Sequence, residues 1–117
     1  MSDPGLPHVL VVYEPAEGYP RGTPAQVAEA LAAMPAMALH MARLGEAAAR
    51  GDVLLGGPVS AIGDGLPRGG MVVFRGREAA DVVAFVEDDP VVREGIERAR
   101  VYRFAPAPGM HGSVDAS

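Results

Sequence analysis

The 117-residue chain contains no cysteine and no lysine. Without cysteine there is no thiol nucleophile, no disulfide framework and no zinc–thiolate site. Without lysine there is no side-chain amine to form a Schiff base. Aromatic residues make up only 5% of the chain, and the formal net charge is −5. A nucleic-acid surface needs a cationic field and often a stacking platform, and neither is present. Long apolar runs are missing as well. The most apolar stretch, Ala30 to Leu39, is interrupted by Pro35 and falls far short of the ~20 residues that span a bilayer. The N-terminus has no cationic start and no apolar core of signal-peptide length, so the cytoplasm is the expected compartment. His8, His40 and His111 do not stand at ligand spacing, and no metal site is expected.

What is present suits one globular domain. Hydrophobic residues make up 49% of the chain, enough for a core at this length. A proline-bearing lead covers residues 1–7, the domain runs over 8–105, and a Pro, Gly, Ala and Ser tail fills 106–117. Val9-Leu10-Val11-Val12-Tyr13 reads as a strand apolar on both faces. Glu14 to Thr23 holds two prolines and two glycines and must be a loop, long enough to line a site. Thr23-Pro24 opens a helix, with Thr as cap and Pro at the first helical position. Pro35 divides that helix. The second piece, to Arg50, carries Met37, Met41, Leu44 and Ala48 at helical spacing. Gly51 follows where a left-handed residue closes a helix.

Val53-Leu54-Leu55 reads as a short strand running into a turn at Gly56-Gly57-Pro58. Met71 to Phe74 is a third strand. Glu78 to Glu87 is a helix, followed by one more helical turn from Asp89-Pro90 to Gly95. Arg98 to Phe104 is the last strand. The order is that of a split βαβ, ferredoxin-like α+β fold: a four-stranded antiparallel sheet with helices on one face. The first strand, apolar on both sides, requires a cover for the other face. No further element supplies one, so a second copy of the chain is expected there, as a homodimer packed sheet to sheet.

Two stretches point to chemistry: His40 to Pro58, and Glu87 to Gly95. Together they resemble the YciI-like (YCII-related) family. The shared pattern is His40 on its helix, Gly51, the Gly57-Pro58 end of a strand, then Asp89-Pro90-Val91-Val92 and Gly95. The likeness spans about Val9 to Phe104. It implies a dimeric α/β barrel, with His40 and Asp89 as an active-site pair in a cleft near the barrel mouth. It also implies proton transfer on a small cyclic or aromatic substrate without an obligatory cofactor, as in lyases, isomerases and cyclases of related barrels. One departure stands out: members often carry Arg three residues before the His, and here the position is Met37.

Each candidate also has a plain structural reading. An imidazole can take or give a proton near neutral pH, and a carboxylate on one ring nitrogen fixes its tautomer. Equally, His40 reads as a half-buried helix residue, and Asp89 before Pro90 as a helix cap. Tyr13 and Arg43 are candidate substrate contacts, as donor and enolate stabiliser, against a strand-end Tyr and a surface Arg. Ser60 is a third, since it follows Gly57-Pro58, although it lacks the Gly-x-Ser-x-Gly elbow of a serine nucleophile. Gly63 to Arg68 is not a dinucleotide loop, because Arg68 occupies the third glycine and no helix follows. Arg75 and Arg77 read as solvated surface. The competing function is a non-catalytic dimeric module that binds a small ligand or serves a partner.

Overall fold

The computed structural model describes residues 6–110. It contains β1 (His8–Pro15), α1 (Pro24–Ala32), α2 (Pro35–Ala49), β2 (Val53–Ser60), β3 (Pro67–Phe74), α3 (Ala79–Glu87), α4 (Pro90–Arg93) and β4 (Glu97–Phe104). The strands form one sheet in the order β2-β3-β1-β4, with every neighbouring pair antiparallel. This is the expected ferredoxin-like α+β arrangement. No helix among the described residues is long and apolar enough to cross a membrane.

Local chemistry sets the helix limits. Thr23 accepts from the Gln26 amide while the Gln26 side chain accepts from the Thr23 amide, a reciprocal capping box ahead of Pro24. Pro35 starts α2 rather than kinking it, and Met34 before it is extended, as a residue preceding proline prefers. At the other end Gly51 has φ +81°, and its amide and that of Asp52 return to the carbonyls of Ala48 and Ala47. That paired closure is a Schellman motif, and it turns the chain sharply into β2. Gly95 closes α4 in the same way, with its amide on Val92 and that of Ile96 on Val91.

The core lies between the sheet and its helices. Val9, Val11 and Tyr13 of β1 pair beside Val72 and Phe74 of β3, and all five are buried. Val27, Ala36, Ala47, Val82 and Val86 close over them from the helices. β1 therefore alternates: Leu10 and Val12 point the other way and are only half-buried in the single chain. On that outer face they join Leu55, Met71, Val73, Tyr102 and Phe104. Leu55 is 58% exposed and Tyr102 47%, a large apolar surface for one domain.

β2 is longer than its sequence suggests. It runs straight through Gly56-Gly57-Pro58, with register shifts between Val53 and Leu55 and between Pro58 and Ser60. An edge strand tolerates proline, because an outward-facing position needs no ladder donor. Arg77 also departs from a solvated reading. It pairs with buried Asp52 at 3.2 Å, beside Arg50 at 3.0 Å. Burial pushes the Asp52 carboxyl up, but opposing influences, the Arg50 hydrogen bond foremost and the Arg77 charge among them, outweigh it and its affinity for protons falls.

Candidate functional site

α2 presents Ala36, Met37, His40, Leu44 and Ala47 inward at three- and four-residue spacing. His40 is 6% exposed and lies at the middle of that stripe. Asp89 comes from the junction between α3 and α4 and is fully buried. Its Oδ1 accepts from the Val91 amide at 3.0 Å, which caps α4. Its Oδ2 lies 2.7 Å from His40 Nδ1, across 49 residues of sequence. An ionised carboxylate only accepts, so this contact assigns the ring proton to Nδ1. In that neutral tautomer Nε2 carries the free lone pair, the arrangement that general base catalysis requires.

The cleft beside His40 has a volume of about 600 Å³. Met37, Met41 and Leu44 of α2 form one wall, and the Leu54 to Pro58 stretch of β2 forms the other. The size suits a small organic ligand, and few polar groups interrupt the apolar lining. Those groups are His40, Tyr13, Tyr19 and Glu97. Tyr13 packs edge-on against the His40 ring, with centroids 4.8 Å apart. Its hydroxyl has no hydrogen-bond partner among the described residues, and Asp89 lies close without completing one. Burial first, and the Asp89 charge second, push this phenol well above its ordinary range.

The loop after β1 contributes Tyr19. Its backbone follows the start of β4 through Ala16 N–H to Ile96 O at 3.0 Å and Gly18 N–H to Gly95 O at 2.8 Å. Tyr19 then reaches β3, where its hydroxyl accepts from the Gly69 amide at 3.1 Å. Burial pushes its phenol up as well, partly offset by that hydrogen bond. Gly69 is required here. It sits at φ +88°, and a Cβ would collide with the Tyr13 carbonyl oxygen.

The remaining sequence candidates lie elsewhere. Arg43 turns behind the pair instead of into the cleft. It donates to the Phe85 carbonyl at 2.9 Å, lies 3.5 Å from Asp89, and stacks 4.1 Å from the Phe85 ring centre. It thus satisfies a helix-terminal carbonyl and braces Asp89. Ser60 does not line the cleft. Because β2 continues past Pro58, Ser60 is carried to the strand end opposite Pro67, where it is exposed. His8 opens β1, and His111 lies outside the described residues. Sequence reasoning missed Glu97 and Tyr19. Tyr19 had a weak signal, a lone aromatic in a long loop. Glu97 had none, because an acid opening a strand just ahead of Arg98 and Arg100 reads as surface.

A four-stranded ferredoxin-like sheet with a buried His–Asp pair beside an apolar cleft defines a small α+β domain. The YCII-related domain matches residues 19–105, and the chain belongs to that family. A solved structure shares the fold: 5-chloro-2-hydroxyhydroquinone dehydrochlorinase from Burkholderia phenoliruptrix AC1100, in complex with 2,5-dihydroxybenzoquinone. The two are 22% identical with a TM-score of 0.60, over 88% of this chain and 99% of that one. No curated protein matches the chain significantly.

Proposed function

We propose that this protein is a cofactor-independent lyase, isomerase or cyclase acting on a small cyclic or aromatic substrate. His40 is its general base, and Asp89 orients the imidazole. The observation that carries this reading is the 2.7 Å Nδ1–Oδ2 contact in a buried pair whose imidazole lines an apolar cleft. A positioned base of this kind accounts for roughly 10²–10⁴-fold acceleration of proton removal. Tyr13, whose ring packs on His40, is the un-ionised donor assigned to the oxygen that gains electron density. The homologous fold holding a dihydroxybenzoquinone supports a ring of that size as the occupant.

The same proposal includes a homodimer through the outer sheet face, in the manner of a dimeric α/β barrel, and a cytoplasmic location. Two side-by-side assays test the catalytic part. One follows chloride release from 5-chloro-2-hydroxyhydroquinone. The other follows deuterium exchange at the carbon next to the carbonyl of 1,2-cyclohexanedione. The wild type should accelerate at least one, and His40→Gln should lose that acceleration. If neither reaction exceeds buffer while ring compounds still shift the cleft amides, the domain is a binding module.

A further inference from the structure

β4 opens at Glu97, just after left-handed Gly95 and buried Ile96. The alternation of the strand places Glu97 on the helix side with Ala99 and Val101. Arg98 and Arg100 point to the opposite face, where both pair with Glu14. Glu97 is 4% exposed, lines the cleft, and its Oε1 has no hydrogen-bond partner among the described residues. A carboxyl buried without a partner weakens the fold that holds it. No helix cap, turn or ion pair uses this one, which leaves the cleft as its purpose.

The charges around it restrict what the cleft holds. No arginine is among the lining residues. An anionic ligand would meet Glu97 with no arginine among the lining residues to offset it. A hydroxyl on a neutral ring meets none of these costs. Burial, aided by the charge of Asp89, pushes the Glu97 carboxyl up, while His40 opposes the shift.

We propose that Glu97 is a specificity-determining residue, its carboxyl accepting a hydrogen bond from a hydroxyl of an uncharged ring compound held against His40. This rests on the reading of the cleft as a small-molecule site. The test titrates hydroquinone and 2,5-dihydroxybenzoate separately into labelled protein, with the cleft amides of Gly56, Gly57 and Gly70 as reporters. Wild type should bind hydroquinone about tenfold more tightly than the anion, and Glu97→Leu should weaken hydroquinone about tenfold. Glu97→Gln keeps an acceptor and the volume, so it should retain hydroquinone, admit the anion and melt no lower than wild type. Equal hydroquinone binding by wild type and Glu97→Leu overturns the role of Glu97 and leaves the cleft reading intact. Unfolding of both variants overturns it too, since Glu97 would then serve the fold. If neither probe shifts the cleft amides of the wild type, the small-molecule reading fails and the inference fails with it. His40→Gln, bound by hydroquinone with unchanged preference over the anion, would support Glu97 independently of the base.

Discussion

Asp89→Asn should reverse the tautomer of His40. The carboxylate uses one oxygen for the Val91 amide and the other for His40 Nδ1, so asparagine can reproduce only one of the two acceptors. With its oxygen toward His40, its NH₂ would face the Val91 N–H. Two donors would then oppose each other in a fully buried site, and the helix cap would be lost. The cost is about 1–3 kcal/mol for the unsatisfied Val91 donor, whose bond is the cap itself. With its oxygen on Val91, the cap survives and the NH₂ faces Nδ1, which must then accept. The second orientation wins by roughly 2 kcal/mol, and the ring proton moves to Nε2. The cleft then meets a donor where it had a base. Long-range ¹⁵N correlation of the imidazole in mildly alkaline buffer separates the two nitrogens directly. Wild type should show protonated Nδ1 and bare Nε2, and the variant the opposite. Any proton-transfer activity should fall about 10²–10⁴-fold. If the variant keeps a protonated Nδ1 and a bare Nε2, the contact with Asp89 does not set the tautomer, and the catalytic reading loses its basis.

The other expectations are simpler. Glu97 has a folded-state proton affinity above its ordinary value of 4.5, so the stability it permits is complete at lower pH and is lost as pH rises toward the folded value. The groups around it are His40 on α2, Asp89 at the α4 cap, and Tyr13 and Tyr19 from β1 and its loop. Thermal melts should show Glu97→Gln gaining on wild type as pH rises above 4.5; a gain that shrinks instead would contradict the burial argument. Gly45 lies in α2 with nothing within 4 Å of a built Cβ, so Gly45→Ala should stabilise by about 0.5–1 kcal/mol in urea unfolding. Gly69→Ala should cost more than about 2 kcal/mol, from its left-handed backbone and the collision with Tyr13. Met71→Glu, on the apolar outer face, should turn a dimer into a 12.1 kDa monomer in light scattering. A wild type that is already monomeric refutes the sheet-to-sheet assembly.

Most of the architecture was legible because short-range chemistry wrote it. Thr23-Pro24, the division at Pro35, and Gly51 after Arg50 each fix a backbone conformation with few alternatives, and each boundary falls where those residues put it. β2 was less legible for a physical reason. Gly-Gly-Pro marks a turn when read locally, but a sheet edge accepts both the missing donor and the missing side chains. That extension carries Ser60 to the strand end opposite Pro67, away from the cleft, so one strand boundary decided where a candidate residue lies. β1 shows the opposite limit. Its unbroken apolar run signals burial on both faces, whereas the single chain buries only Val9, Val11 and Tyr13 fully.

The pair itself shows why a structural role and a chemical role need not compete. Asp89 is a helix cap through Oδ1, and that bond fixes the carboxyl plane so that Oδ2 meets His40. Arg43 and the buried α3–α4 junction hold the plane from behind. A carboxylate free to rotate would spend entropy each time it oriented the imidazole, and the cap removes that cost in advance. From sequence, the Asp-Pro signal therefore reports the cap alone. What turns it toward chemistry is the distance to a residue 49 positions away. Glu97 is the converse, an acid with no local signal and, among the described residues, no structural bond, visible only once the fold buries it beside the cleft that His40 lines.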